Sequence, residues 1–288
     1  VADYYDFEAD PELEVTVTSG ATEALFNAVQ ATVRSGDDVI VFDPAYDSYE
    51  PAIQLAGANA IHIPLRIPDY SIDWALVENA VTKNTKLIII NSPHNPCGSI
   101  FDRKDLDRLA DLIRNKDILV LSDEVYEHMV FDGQKHESVL SHHELREKSF
   151  AVFSFGKTFH ATGWKLAYCV ARKNLSVEFR KVHQFVTFTT SSFVQYGIAD
   201  FMVQCPEYAK ELPAFYEKKR DTFCQLLQPS RFKLTSSKGT YFQLVDYSDI
   251  SDLPDIEFAN HLAQQLGVAA IPLSPFYQTA PDTKILRF

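Results

Sequence analysis

Asp117-Ile118-Leu119-Val120-Leu121-Ser122-Asp123-Glu124 is a short apolar run that ends abruptly in two acids. Its apolar residues are consecutive rather than alternate, which suits a strand buried on both faces of a sheet. Two further stretches repeat the pattern: Lys86-Leu87-Ile88-Ile89-Ile90 runs into Asn91-Ser92-Pro93-His94-Asn95-Pro96-Cys97-Gly98, and Asp38-Val39-Ile40-Val41-Phe42 into Asp43-Pro44. Working outward, residues 13–18, 60–64, 149–153 and 165–170 complete a set of seven strand-like runs. Helical stripes fill most of the gaps. Apolar residues recur at 21, 24, 25, 28, 29 and 33; residues 49–56 and 102–115 read as helices; and Asp73 caps a stripe made by Trp74, Val77, Ala80 and Val81. The alternation predicts an α/β fold whose mostly parallel seven-stranded sheet lies between helices. Ligands bind at the C-terminal ends of strands in such sheets, so the segments at 20, 43–46, 91–98, 123–126 and 154–157 share one functional edge.

After Arg172 the texture changes. Residues 175–204 read as a long helical region interrupted near 187–192, and 206–227 as another helix. Residues 239–245 and 284–288 read as strands, with a helix over 255–266 between them. The expected organisation is a large domain over 1–208 and a smaller α+β C-terminal domain over 209–288. The chain starts at Val1 without an initiator Met and stops at Phe288 directly after a strand-like run, so both ends read as cut.

Composition narrows the function classes. Hydrophobic residues make up 46% and charged residues 23%, as in a folded protein. The formal charge of −12 weighs against nucleic acid or an anionic membrane surface as the main partner. No run of about 18 apolar residues is present, and the acidic N-terminus lacks the layout of a signal peptide. The four cysteines, Cys97, Cys169, Cys205 and Cys224, are too scattered for a zinc site or a disulfide framework, which implies reduced thiols and a cytoplasmic setting. No histidines have metal-ligand spacing, so no metal is expected.

Chemistry concentrates in Ser154-Phe155-Gly156-Lys157-Thr158-Phe159-His160-Ala161-Thr162-Gly163-Trp164-Lys165-Leu166-Ala167. Hydroxyls, glycines and two lysines packed this closely suggest a held phosphate. A nucleoside triphosphatase is one reading, because Gly156-Lys157-Thr158 resembles the end of a phosphate loop and 118–124 an acidic Mg²⁺ strand. Against it, alanine stands at 151 where the loop's opening glycine belongs, and the acidic strand precedes the lysine loop. A pyridoxal phosphate enzyme is the other. That cofactor requires a lysine, a carboxylate against its ring nitrogen, an anion site, a flat stacking surface and a hydrogen bond to its phenolic oxygen. Each has a candidate on the expected edge.

The sequence resembles the pyridoxal phosphate-dependent aminotransferases of fold type I, class I and II, most closely the kynurenine and methionine aminotransferase branch. The resemblance rests on Thr18-Ser-Gly-Ala-Thr-Glu-Ala-Leu25, Asp43-Pro-Ala-Tyr-Asp-Ser-Tyr49, Asn91-Ser-Pro-His-Asn-Pro-Cys-Gly98, Ser122-Asp-Glu-Val-Tyr126, Ser154-Phe-Gly-Lys157 with Thr162-Gly-Trp-Lys165, and Leu286-Arg287-Phe288. The motifs span essentially the whole chain in order. The resemblance implies that Lys157 forms the Schiff base and shuttles the substrate proton, that Asp123 pairs with the ring nitrogen, and that Tyr126 and Asn95 contact the phenolic oxygen. Gly20, Ala21, Ser154 and Lys165 would hold the phosphate, with lysine at 165 where many relatives have arginine. Tyr46 would stack on the ring, and Arg287 with Asn95 would bind the substrate carboxylate.

The implied reaction moves the amino group of a large neutral amino acid (methionine, kynurenine, an aromatic residue or glutamine) to a 2-oxo acid with ping-pong kinetics. β-Elimination from cysteine S-conjugates uses the same lysine and cofactor and is the alternative within the enzyme class. A non-enzymatic binding scaffold is the alternative outside it. The resemblance also implies a homodimer with active sites at the interface. Relatives carry a segment before the equivalent of Val1 and continue past Phe288, consistent with cut ends.

Overall fold

The structure, a computed structural model, describes residues 1–288 with the side chain of Asp3 excepted. One sheet contains β1 (Val15–Thr18), β2 (Asp38–Asp43), β3 (Asn59–Pro64), β4 (Thr85–Asn91), β5 (Leu119–Asp123), β6 (Ser149–Ser154) and β7 (Ala167–Ala171). Their order is β1-β7-β6-β5-β4-β2-β3. Neighbours from β3 to β6 pair in parallel, whereas β7 runs antiparallel to both β6 and β1. The expected α/β architecture with a mostly parallel seven-stranded sheet is borne out.

The consecutive apolar residues do what a doubly covered sheet requires, because successive side chains point to opposite faces. Ile88, Ile90, Val120 and Phe153 pack with Leu106, Leu109 and Ile113 of the helix Arg103–Ile113 on one face. Leu87, Ile89, Leu121 and Val152 pack with Leu25, Ala28 and Val29 of the helix Ala21–Thr32 on the other. Local signals fix several ends. Asp73 accepts from the Ala75 and Leu76 amides at 3.1 and 3.3 Å, and Asp102 forms a reciprocal capping box with Asp105.

The reversal at β7 positions the site. Ala167 pairs with Ser154 on one side and Thr18 on the other. The chain must therefore leave β6, turn through residues 155–166 across the C-terminal edge of the sheet, and re-enter beside Gly20. Lys165 lies on that return, two residues before β7.

Helices Lys173–Val186, Ser192–Gln204 and Tyr208–Leu227 follow, with the break falling where the sequence predicts it. A second, antiparallel sheet then forms from β8 (Leu244–Asp246), β9 (Ile271–Pro272) and β10 (Ile285–Arg287) in the order β8-β10-β9. Two elements differ from expectation. The helix Asp255–His261 passes into a π-helical turn, Leu262–Leu266, that ends at Gly267 with φ 68°. The strand expected over 239–245 shrinks to β8, because the preceding backbone is used elsewhere. Lys238 and Gly239 donate to the Gly98 carbonyl at 2.9 and 3.0 Å, Phe131 donates to Lys238, and Thr240 donates to Met129.

That docking leaves Gly239 no room. A Cβ there would lie 2.7 Å from the Met129 carbonyl oxygen and 2.9 Å from Pro93 Cβ. Gly239→Ala is expected to destabilise the protein by about 1–3 kcal/mol in urea or thermal unfolding. Gly197, within a helix and with nothing near its absent Cβ, is the contrast: Gly197→Ala is expected to be neutral or stabilising by up to about 1 kcal/mol.

Candidate active site

Four strand ends and one return loop build the site. Asp123 ends β5 and Asn91 ends β4, paired in register. The Asn91 amide donates to the Asp123 carbonyl at 2.8 Å, and its oxygen accepts from the Asn95 backbone at 2.7 Å. Asn91 thus couples the strand ends to the loop that carries Asn95. Ser154 ends β6 and caps the short helix Phe155–Thr158 by accepting from the Lys157 amide at 3.3 Å. Thr18 ends β1, and Gly20 follows it as N-cap of the helix Ala21–Thr32 at φ 85°, a conformation open to glycine.

All the cofactor-contacting candidates come together. A cavity of about 140 Å³ is lined by Gly20, Ala21, Tyr46, Asn95, Asp123, Tyr126, Ser154, Lys157 and Lys165 among others. Arg287 stands just beyond, reached from β10, and its Nη1 donates to Asn95 Oδ1 at 2.7 Å. The ring of Phe242 lies 4.2 Å below its guanidinium and that of Phe276 5.0 Å away. Arg287 and Asn95 together offer the forked donor and amide that an α-carboxylate accepts from. The Gly156-Lys157-Thr158 triplet lies within a four-residue helix, not at the head of a long one, which removes the geometry of a nucleotide phosphate loop.

Burial sets the electrostatics of Asp123. Its side chain is buried, and burial pushes its carboxyl up to about 6 despite a hydrogen bond from Tyr49 Oη at 2.7 Å, the Val125 amide, and the nearby charge of Lys157. Desolvation outweighs those three, because none places a cation in contact with the carboxylate. Tyr126 is buried too, and burial raises its hydroxyl well above the ordinary tyrosine value, so it remains a neutral donor. Burial also works against the charge of Arg287.

The arrangement fits pyridoxal phosphate on three structural counts. A buried carboxylate held above its ordinary pKa is completed by a protonated ring nitrogen. The opposite end of the cavity is an anion cradle. The first amides of the helix Ala21–Thr32 lack intrahelical partners, the Ser154 hydroxyl keeps a hydrogen to donate, and Lys165 leans over Gly20. A Cβ on Gly20 would lie 3.1 Å from Lys165 Cε and 3.2 Å from its Nζ, so glycine keeps this cradle open. Lys157 sits between the two ends, with Nζ 5.5 Å from the Tyr126 ring centre. Among the described residues no group of His, Cys, Asp or Glu can hold a metal ion.

Some functional contacts escaped sequence reading. Tyr49 anchors Asp123 across 74 positions, and Tyr241 accepts from Lys157 Nζ at 3.0 Å across 84. Thr22 also lines the cavity, its hydroxyl 3.5 Å from that of Tyr46. Both Tyr49 and Thr22 lie inside the quoted motifs, which was the available signal. Nothing local marks Tyr241.

Comparison with known proteins agrees with this geometry. The profile of the family described as aminotransferase class I and II matches residues 1–288. The chain is 47% identical over 283 residues to the methionine aminotransferase of Escherichia coli (strain K12), covering 98% of this chain and 73% of that protein. It is 35% identical over 310 residues to kynurenine–oxoglutarate transaminase 3 of Homo sapiens, covering 99% and 68%. A solved Escherichia coli structure with methionine aminotransferase function superposes with a TM-score of 0.98 at 46% identity, over 100% of this chain and 76% of that one. N-succinyldiaminopimelate aminotransferase from Mycobacterium tuberculosis gives a TM-score of 0.94 at 32% identity, over 100% and 76%.

A pH test follows from Asp123. With the cavity empty, its folded pKa of about 6 exceeds the unfolded 3.8, so the protonated form favours folding. That contribution is complete below about pH 4 and is lost as pH rises through about 6. Asp123→Asn is expected to abolish this dependence. Relative to the variant, the cofactor-free parent should lose on the order of 2 kcal/mol between pH 4 and 7 in paired urea unfolding curves.

Proposed function

The chain belongs to the class I and II aminotransferases, and from that premise we propose that it binds pyridoxal 5'-phosphate in the cavity above β5 and moves the amino group of a large neutral amino acid, such as methionine or kynurenine, to a 2-oxo acid. The carrying observation is the buried Asp123 carboxylate at one end of a cavity whose middle holds Lys157 and whose far end is an anion cradle. The names of the relatives support the substrate class, since a methionine aminotransferase and a kynurenine–oxoglutarate transaminase are among the matches.

When bound, the cofactor supplies an aldehyde that condenses with amines and a ring that draws electrons from the substrate's α-carbon. The chain's residues divide the remaining work. Arg287 and Asn95 bind and orient the α-carboxylate. Asp123 holds a proton on the ring nitrogen, and Tyr49 keeps Asp123 aimed. Tyr126 donates to the phenolic oxygen, while Gly20, Ala21, Ser154 and Lys165 retain the phosphate, and Tyr46 covers the ring. Lys157 supplies the amine that would hold the cofactor; displaced by the substrate's amino group, it would take the proton from the substrate's α-carbon and return it two atoms away, to the carbon beyond the shared nitrogen. One site serves both half-reactions in turn, hence ping-pong kinetics.

Further elements belong to the same proposal. The cofactor cradle lies in a large domain over 1–208, and Arg287 comes from a smaller domain over 209–288. The protein is a homodimer; in support, Phe185, Phe193 and Tyr196 are 86%, 81% and 71% exposed on two successive helices. All four cysteines are free, in keeping with a cytoplasmic setting. Among the described residues no helix is long and apolar enough to cross a membrane.

The purified protein is expected to transaminate methionine with a 2-oxo acid acceptor. Lys157→Ala should lower kcat by at least about 10³-fold. Arg287→Lys should mainly raise KM for the amino acid, because a point charge replaces the fork. Full activity in Lys157→Ala would refute the assignment of the reacting amine, and release of pyruvate and thiol from a cysteine S-conjugate without any acceptor would favour the lyase over the transaminase. In a separate check, sedimentation should give twice the chain mass, and Phe185→Asp with Phe193→Asp should shift it toward one.

A further inference from the structure

Lys157 Nζ has a polar partner from outside the sheet edge: it donates to Tyr241 Oη at 3.0 Å. Tyr241 lies on the turn that leads into β8, and that turn is fixed from several sides. Its backbone is bonded to Gly98 and to residues 129–131. Gly239 and Gly98 both lack space for a side chain, since a Cβ on Gly98 would lie 2.6 Å from Ser237 Cβ. Thr240, between Gly239 and the tyrosine, has φ 66°, a left-handed conformation that a β-branched residue adopts only under strain. Its hydroxyl accepts from the Phe242 amide at 3.2 Å, closing the turn.

The tyrosine ring is held by aromatic neighbours on its inner side, although 39% of the residue is exposed. It meets Tyr126 edge-on at 5.3 Å between centres and packs against Tyr216 at 5.8 Å. Tyr216 in turn bonds His160 Nε2 at 2.6 Å, and His160 Nδ1 bonds Tyr208 at 2.7 Å. His160 lies on the same return loop as Lys157. The contacts therefore close a ring, from the lysine loop through His160 and Tyr216 to Tyr241 and back to Lys157 Nζ. The next residue, Phe242, lies under the Arg287 guanidinium. Two adjacent aromatic residues on one strained turn thus touch the two cationic groups between which a substrate α-carbon must sit.

We propose that Tyr241 is a positioning residue for the transamination reaction: its hydroxyl holds the free Lys157 amine, while Phe242 supports Arg287, so that the strained turn at 239–242 sets the separation of proton-transfer amine and carboxylate clamp. The role in catalysis rests on Lys157 being the reacting amine; the hold on Lys157 does not. Removal of the Tyr241 hydroxyl takes away that hydrogen bond and frees the Lys157 side chain to leave its working position.

The test reads Lys157 itself. Cofactor-free parent and Tyr241→Phe are treated with trinitrobenzenesulfonate across pH 6–11, and modification of the Lys157 peptide is followed by mass spectrometry. Tyr241→Phe is expected to raise the rate of Lys157 labelling about threefold at each pH and, in the loaded enzyme, to lower kcat about fivefold with KM for the amino acid within about twofold. Phe242→Leu is expected to leave the labelling profile in place and to raise that KM. Coincident labelling profiles for parent and Tyr241→Phe would overturn the proposal, as would a shifted profile with unchanged kcat. If Lys157→Ala retained transaminase activity, the reading of Lys157 as the reacting amine would fail; the labelling rate in the parent and Tyr241→Phe would still decide whether Tyr241 holds it.

Discussion

The site depends on a carboxylate kept at the closed end of a buried parallel strand. Asp123 cannot be solvated there, because β4 and β6 flank it and a hydrophobic core lies against β5. Tyr49 and the Val125 amide supply hydrogen bonds, yet desolvation still dominates. A group that brings a proton to this point relieves the imbalance, which gives the cavity a built-in preference for a protonated ring nitrogen. The neighbouring acid is treated differently. Glu124, on the other side of the strand, is satisfied by Ser122, His136 and the Val139 amide at 2.7, 2.7 and 3.1 Å. Two consecutive acids thus divide into one that secures the loop and one that lines the cavity with its charge poorly compensated.

Two topological features bring partners to that carboxylate. The reversal of β7 folds residues 155–166 over the sheet edge, so that Lys157 leaves from the end of β6 and Lys165 returns beside Gly20. The docking of residues 237–242 onto Gly98 and residues 129–131 then adds Tyr241 from a distant part of the chain, and β10 adds Arg287. Gly20 and Ala21, Lys157, and Arg287 come from three separate elements, while Ser154 and Lys165 share the return segment with Lys157. The turn that carries Tyr241 tolerates little extra volume, since neither Gly98 nor Gly239 has room for a Cβ.

Much of this was legible in the sequence, for identifiable reasons. Strands buried on both faces write consecutive apolar residues, so β2, β4, β5 and β6 could be found within a residue or two at either end. Asp73 and Asp102 announced helix starts because capping is a local interaction. The common edge followed from parallel topology, and the candidates drawn from it line one cavity. The strand expected over 239–245 was misjudged because β-like composition reports a suitable surface, not a pairing partner. Here the backbone found Gly98 and Met129 instead of a neighbouring strand.

By itself the sequence determined the α/β class, the order of strands and helices, and the identity of Lys157, Asp123 and the residues around them as candidates. The class and the element order follow from periodicity, caps and turn chemistry, which act over a few residues, whereas the candidates and their roles follow from the resemblance to the aminotransferase motifs. Only the tertiary structure decided what each candidate touches. Tyr49 reaches Asp123, Tyr241 reaches Lys157, and Arg287 reaches Asn95 across 74, 84 and 192 positions. Such contacts join groups that only the folded chain brings together, and nothing in local sequence records which partner each will meet.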